Sequence, residues 1–148
     1  MSAGVFLGAV GGLYAVLRVA HGLGDYWLQT QDQADRKGGQ GWPARGACLG
    51  HVGGQLVATV VALGVLAAVV PGPTLFSAPR LLAALAVIGV THYVADRRAP
   101  LRRLACWVRR GRGMGWIDGG GLALLDQEWH RVWLLAAAVI LAGGVPAV

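Results

Sequence analysis

Four long blocks of the sequence, residues 3–20, 52–70, 81–95 and 132–148, contain almost no charged side chains. About 20 apolar residues in a row are what an α-helix needs to cross the hydrocarbon core of a bilayer. Only 14% of all residues are charged, whereas about a quarter are charged in soluble domains. These features predict an all-α integral membrane protein, built as an up-and-down bundle of four transmembrane helices.

The connections between the four blocks are short, so they leave no room for a second folded domain. We therefore expect residues 1–148 to form a single transmembrane domain. The first block has no basic segment before it, and its positive residues follow it. This pattern is typical of a retained membrane anchor and not of a cleaved signal peptide.

Basic residues are concentrated in two of the three connections. Arg80 is the only basic residue in the connection between the second and third blocks. By the positive-inside rule, the two basic connections face the cytoplasm and both termini lie outside. This predicts a multi-pass protein of the inner (plasma) membrane. The basic residues of the two connections are Arg36, Lys37, Arg45, Arg97, Arg98, Arg102, Arg103, Arg109, Arg110 and Arg112.

The second of these connections contains a short amphipathic pattern. Leu101, Leu104, Ala105 and Val108 follow the spacing of one helical face, while the neighbouring arginines point elsewhere. The pattern predicts a short interfacial helix between the third and fourth transmembrane helices. Its arginines could bind anionic lipid headgroups, or they could only determine the topology. We expect the bilayer to be the main partner and expect no nucleic acid, and the oligomeric state stays open.

All four histidines lie at comparable places in the predicted topology. His21 follows the first block, His51 precedes the second, His92 is near the end of the third, and His130 is near the start of the fourth. In an up-and-down bundle these four places lie at the same membrane face. The topology therefore predicts one layer of histidines on the cytoplasmic side.

Aspartates accompany three of the histidines at a spacing of four residues. This spacing puts both side chains of a pair on one helical face, one turn apart. Together with His51, the pairs offer seven ligands that suit zinc, manganese or iron, enough for one or two divalent ions. The candidate ligands are His21, Asp25, His51, His92, Asp96, Asp126 and His130.

A purely structural role for these residues is the main alternative. A lone histidine in an apolar helix is usually a satisfied polar residue, and Asp25 or Asp96 could cap a helix or pair with Arg18 or Arg131. Ionisable groups in a membrane are costly, so they usually have a task. Three copies of one spacing in one layer favour metal binding. Cys48, one turn before His51, is a poorer candidate ligand.

Several motifs along the chain are also similar to those of a known family. Taken together, they resemble a bacterial family of small integral membrane proteins known only as a domain of unknown function, which implies a membrane protein with a shared polar cluster. A looser similarity, in the membrane setting and the His-x-x-x-Asp pattern, is to predicted membrane-bound metal-dependent hydrolases. The motifs are His21-Gly-Leu-Gly-Asp25-Tyr-Trp-Leu28-Gln29, Lys37, His51, Thr91-His92-Tyr-Val-Ala-Asp96 and Asp126-Gln127-Glu-Trp-His130.

The pattern of ligands suggests a metal-dependent hydrolase that acts on a lipid or another phosphoester at the cytoplasmic interface. Asp25, Asp96 and Asp126 are then the candidate catalytic acids, one of them acting as general base. Arg18 and Arg131 are weaker candidates for binding a substrate phosphate. The alternatives are a non-enzymatic module that is structural or binds a partner, and, less favoured, a carrier of metal ions or protons.

Overall fold

The computed structural model describes residues 2–70 and 76–143, and within these residues it contains helices and no strands. The all-α prediction is confirmed. In chain order the α-helices are α1 (Ala3–Leu23), α2 (Gln31–Arg36), α3 (Gly41–Val69), α4 (Ala78–Asp96), α5 (Ala99–Val108), α6 (Met114–Trp116) and α7 (Leu122–Ala142).

The four long helices α1, α3, α4 and α7 pack around a common apolar core. Helix α1 contacts α3 and α7, and α4 contacts the same two helices. Their buried side chains are mostly aliphatic, so close van der Waals packing holds the helices together. The largest core residues are Leu13, Leu17, Leu63, Ile88, Leu134 and Leu141.

Three segments are long and apolar enough to cross a membrane: Ala3–Leu28, Gly41–Val69 and Ala78–Asp96. Large apolar side chains such as Leu7, Val57 and Leu82 are more than 60% exposed on the outside of these helices. Such a surface suits contact with lipid and not with water. Helix α7 is not among these segments, and it contains three charged side chains, Asp126, Glu128 and Arg131. The fourth crossing therefore stays a prediction.

The helices extend beyond the apolar blocks from which they were predicted. Helix α3 begins at Gly41 instead of residue 52, and α7 begins at Leu122 instead of residue 132. Backbone hydrogen bonding continues through polar residues as readily as through apolar ones, so hydropathy alone places these starts too late. His51 and His130 consequently lie two or more turns inside their helices. Residues 144–148 of the fourth block lie outside the described residues.

The predicted amphipathic helix is present as α5. Leu101 and Ala105 are buried, and α5 contacts α7, whereas Leu104 and Val108 on the same face are exposed. Trp107 is 78% exposed, and Trp27 and Trp42 are similarly exposed. Amphipathic indole rings favour the headgroup region of a membrane. The location of α5 in the interface stays a prediction.

Two arginines at the end of α4 donate hydrogen bonds to α2 and to the connection that follows it. Arg97 donates from Nη1 to the carbonyl oxygen of Lys37 at 2.6 Å and from Nη2 to the carbonyl oxygen of Gly39. Arg98 donates to the carbonyl oxygen of Ala34 at 3.3 Å. These arginines therefore join the two basic connections to each other, and they fix the position of Lys37.

Candidate metal centre

The seven predicted ligands come together at one end of the bundle. Their side chains are nearly inaccessible to solvent: each histidine is at most 3% exposed, Asp96 is 2% exposed and Asp25 is 8% exposed. Asp126 differs, with 23% of its side chain exposed. Four long helices and the segment after α1 thus converge on one buried polar cluster, which opens to solvent on the side of Asp126.

The spacing of four residues brings each predicted pair together. The distance from histidine Nε2 to the nearer carboxylate oxygen is 3.5 Å for His21 and Asp25 and 3.2 Å for His92 and Asp96. It is 3.6 Å for His130 and Asp126. The geometric prediction made from the helical repeat is therefore confirmed for all three pairs.

Asp25 lies in a π-helical segment, Gly24–Leu28, that continues α1. The amide of Gln29 donates to the carbonyl oxygen of Gly24 five residues earlier, at 3.1 Å. Gly24 packs directly against the buried side chain of Gln55 on α3, and a Cβ atom at this position would overlap that side chain. The glycine thus allows the end of α1 to approach α3, and the wider π turn sets the direction of Asp25. Single π turns inside helices often occur at functional sites.

Four ligand atoms form a compact group at the middle of the cluster. His51 Nε2 lies 2.9 Å from His92 Nε2, 3.2 Å from Asp25 Oδ1 and 3.3 Å from Asp96 Oδ2. His92 Nε2 lies 3.4 Å from Asp25 Oδ1 and 3.2 Å from Asp96 Oδ2. We call Asp25, His51, His92 and Asp96 the four-ligand centre.

Five of the six separations in this group lie near the spacing expected around one metal ion. Ligand atoms bound tetrahedrally at 2.0–2.1 Å from zinc are separated from one another by about 3.3 Å. Within the described part of the chain, Asp25 Oδ1 and Asp96 Oδ2 have no hydrogen-bond partner, although both are buried. Buried carboxylate oxygens almost always have partners. The donor set, two imidazoles and two carboxylates, is one that divalent zinc, manganese or iron accepts.

The remaining ligands continue the cluster beside this centre. The ring of His130 lies 4.2 Å from that of His92 and 4.6 Å from that of His21, centroid to centroid. Three sets of ligand atoms are close enough to hold an ion, with all atoms of a set within 4.8 Å of one another. The sets are Asp25 with His51 and His92; His21 with His92 and His130; and Asp96 with Asp126 and His130.

Lys37 is part of the site, although the sequence did not identify it as a site residue. Its Nζ lies 2.7 Å from Asp96 Oδ1, and its side chain is only 12% exposed. The basic residue and two of the acids, Asp25 and Asp96, are thus all nearly buried. One ammonium group does not balance the charge of two buried carboxylates and a third at the rim, and unbalanced buried charge is costly. A divalent cation would remove this imbalance.

The two arginines predicted to bind phosphate are sequence neighbours of ligands: Arg18 precedes His21 by about one helical turn, and Arg131 directly follows His130. Arg131 donates to Glu128, and both side chains are exposed. Among the described residues, no hydrogen bond or ion pair joins Arg18 or Arg131 to the seven ligands. Asp25 and Asp96 are thus not partners of these arginines, which removes one structural explanation for the two acids.

Two further polar side chains, Gln127 and Cys48, lie near the cluster. Gln127 donates from Nε2 to Asp25 Oδ2 at 3.4 Å, so it helps to orient this carboxylate. Cys48 is buried and its thiol faces the carbonyl oxygen of Tyr93 at 3.9 Å. The cysteine thus takes part in a contact between α3 and α4.

The chain is therefore a helical protein with membrane-length apolar segments and a buried cluster of histidines and aspartates suited to a metal ion. No protein-family model, curated protein or solved structure matches it.

Proposed function

We propose that the protein is a membrane-bound, metal-dependent hydrolase of a lipid or another phosphoester, with its centre at the cytoplasmic end of the bundle. The proposal includes the topology predicted from the arginines, with both termini outside and the cluster on the cytoplasmic side of the inner membrane. It agrees with the looser similarity to predicted membrane-bound metal-dependent hydrolases.

One observation carries this proposal: four ligand atoms from three separate parts of the chain gather closely enough that Asp25, His51 and His92 could hold one ion, with Asp96 Oδ2 within 3.3 Å of both histidines. The five measured separations among them range from 2.9 to 3.4 Å. A cluster that only stabilised helix packing would pair each donor with an acceptor. Here the two Nε2 atoms instead face one another, and at most one proton fits between them.

The residues of the chain have separable tasks in this proposal. Asp25, His51, His92 and Asp96 hold the ion, Gln127 orients Asp25, and Lys37 orients Asp96. A divalent ion bound in the cluster with one position open to water would lower the pKa of that water to about 7, which is the chemistry that hydrolysis at neutral pH requires. No serine or cysteine nucleophile is then needed.

The side of the cluster at Asp126 is where a substrate would approach, since this ligand is the most exposed of the seven. An apolar groove of about 280 Å³ lies nearby, between α5 and α7, and includes Leu101, Val108, Leu125 and Trp129. Leu125 and Trp129 directly precede Asp126 and His130 in the sequence. Arg109 and Glu128 line the same groove. Its apolar lining favours a lipid as substrate, and Arg109 offers a positive charge for a phosphate-bearing headgroup.

A carrier of metal ions or protons is less well supported. A pathway requires polar groups through the thickness of the membrane. Beyond Gln55 and Thr59, the described core consists of aliphatic side chains such as Leu13, Leu63 and Ile88. An ion held at the cluster would have no polar route through this part of the bundle.

Metal binding is tested by elemental analysis of the full-length protein, purified in detergent without chelator. We expect at least one zinc, manganese or iron ion per chain in the wild-type protein and none at the four-ligand centre of a His92→Ala variant. Glu128→Gln is the matched control, because this exposed residue lies within two positions of both Asp126 and His130. Absence of metal from the wild-type protein, or equal metal in all three proteins, would contradict the proposal.

Hydrolysis is tested with the same proteins and a panel of phosphoesters, including phospholipids presented in vesicles. We expect activity that a chelator abolishes, that added metal restores, and that His92→Ala lacks. If metal binds at stoichiometric amounts but no phosphoester or lipid is cleaved, the hydrolase assignment is wrong and a non-enzymatic metal-binding module remains.

A further inference from the structure

A second group of potential ligands lies beside the four-ligand centre. Asp126 and His130 project from α7, and their ligand atoms lie within 4.8 Å of each other and of an Asp96 oxygen. Neither Asp126 nor His130 belongs to the four-ligand centre. The cluster thus contains more ligands than one tetrahedral ion can use.

His130 Nε2, in this second group, is unpartnered in the described part of the chain where a ligand would lie. His130 is 2% exposed, and its Nε2 atom has no hydrogen-bond partner among the described residues. The same holds for both ring nitrogens of His21, whose ring lies 4.6 Å from that of His130. Buried imidazole nitrogens without partners are rare, because a lost hydrogen bond in a buried site is costly.

Asp96 connects the two groups. Its Oδ2 atom lies 3.3 Å from His51 and 3.2 Å from His92, and the same residue is near Asp126 and His130. A carboxylate has two oxygens and can bridge two ions about 3.5–4 Å apart, as in many hydrolases of phosphoesters. Lys37 holds the other oxygen of Asp96 and so fixes the orientation of the bridging group.

The two groups also differ in exposure and in ligand number. The four-ligand centre is deeply buried, with each of its side chains at most 8% exposed. The second group supplies three protein ligands, and one of them, Asp126, is 23% exposed. Three protein ligands and an accessible open position are typical of catalytic zinc sites.

We propose that Asp96, Asp126 and His130 hold a second divalent ion, and that this ion provides the position at which the phosphoryl group of the substrate binds. This inference rests on the proposed function, since it places the second ion beside the first. Two divalent ions and Lys37 outweigh the charge of three carboxylates, so the loaded site would attract an anionic substrate.

The test is a metal titration of full-length protein in detergent, stripped with chelator and reloaded with zinc. We expect two ions per chain in the wild-type protein and in the Glu128→Gln control. Asp126→Asn and His130→Gln should each retain one ion, and the retained ion shows that the bundle and the four-ligand centre are intact. His51→Ala should lose the ion of the four-ligand centre.

The outcomes separate the two proposals. If the wild-type protein binds one ion and Asp126→Asn binds the same amount, the second site is overturned and the first centre still stands. The second site is also overturned if Asp126→Asn and His130→Gln both still bind two ions. It is overturned as well if each of these variants loses both ions. No ion in the wild-type protein refutes the proposed function itself.

Manganese gives an independent readout that does not depend on activity. Two manganese(II) ions bridged by Asp96 would be magnetically coupled, so the fully loaded wild-type protein should lose the simple six-line electron paramagnetic resonance spectrum of isolated manganese. Asp126→Asn should restore that spectrum. Uncoupled spectra in both proteins would overturn the shared site.

Discussion

Lys37 and Asp96 form a buried ion pair in which each oxygen of the carboxylate has a different neighbour. Oδ1 lies 2.7 Å from the Lys37 ammonium, and Oδ2 lies 3.2 Å from His92 Nε2. Lys37 is the only lysine of the chain; all other basic side chains except histidine are arginines. A compact ammonium group can enter this site as a point charge, whereas the guanidinium group of arginine is larger and planar.

Replacing Lys37 by methionine should destabilise the metal-free protein more than the metal-loaded one. Removing one partner of a buried ion pair costs about 3 kcal/mol, because the other charge is left uncompensated. A bound ion supplies positive charge in its place. We therefore expect a lower melting temperature without metal and a larger rise on adding zinc than in the wild-type protein.

Arg36→Met is the control for this experiment, because Arg36 is the neighbouring residue, is exposed and pairs with Asp32. It should leave the metal-dependent rise in melting temperature unchanged. A Lys37→Met protein that melts like the wild type in the absence of metal would show that Lys37 does not compensate Asp96.

Replacing Gln127 by leucine should weaken metal binding without removing the site. The amide of Gln127 orients Asp25 from 3.4 Å, and loss of such an orienting partner typically lowers metal affinity 10–100-fold. Competition with a chromophoric chelator would measure the change. Gln31→Leu, which removes an exposed amide that bonds to Asp35, should leave the affinity as it is. Equal affinities for both variants would exclude an orienting role for Gln127.

Replacing Arg97 by alanine should loosen the segment that carries Lys37. Arg97 donates to the carbonyl oxygens of Lys37 and Gly39, and hydrogen bonds to a charged donor contribute about 1.5–3 kcal/mol each. We expect faster amide hydrogen exchange over residues 34–40. Arg103 is an exposed arginine of the adjacent helix α5. The control variant Arg103→Ala should therefore not change this exchange. Unchanged protection in Arg97→Ala would refute the fastening role.

The pair of Arg102 and Asp118 should add stability that disappears in acid. Arg102 donates two hydrogen bonds to this carboxylate, at 2.7 and 2.8 Å, and its guanidinium group lowers the pKa of Asp118. A lowered pKa in the folded state means that the contribution is complete above the ordinary aspartate value of about 3.9 and is lost as the pH falls through the folded pKa.

Melting temperatures of the wild type and Asp118→Asn, both kept free of metal, would measure this effect. Their difference should be constant near neutral pH and should shrink below about pH 4, where the wild-type carboxylate becomes protonated. Both side chains are about half exposed, so the difference should be small and should decrease with added salt. A difference that grows in acid would contradict the assigned sign.

The ligands of the cluster could be predicted from the sequence because two simple regularities suffice. The spacing of four residues places His92 beside Asp96, and the alternation of helix direction places both near His51. The polar turns at the beginning of α3 and α7 could not be predicted in this way. Hydropathy detects the start of the apolar block and misses the preceding turns of α3 and α7.

The partners of individual atoms could not be predicted either. Which oxygen of Asp25 faces His51 depends on the π turn after α1, and no hydropathy pattern indicates a single wider turn. Lys37 lies in a connection whose position is set by Arg97, sixty residues away in the chain. The available signals were that it is the only lysine of the chain and that it belongs to the motifs that resemble a known family.

The regular spacing of glycines in the first block does not correspond to a packing face in the structure. Gly4, Gly8 and Gly12 recur every four residues, a pattern that predicts close helix contacts. Within the described residues, an added Cβ atom at any of these three positions would meet nothing within 4 Å. The four long helices of the chain thus use other faces to pack, because their contacts are formed by larger aliphatic side chains.

Zinc K-edge X-ray absorption of the zinc-loaded, full-length protein tests the central claim most directly. A centre built from Asp25, His51, His92 and Asp96 predicts only nitrogen and oxygen neighbours at about 2.0–2.1 Å, with the outer-shell scattering of imidazole rings, and loss of this signal in His51→Ala. A sulfur shell at about 2.3 Å, which would implicate Cys48, or a shell of water oxygens without imidazole, would contradict the account.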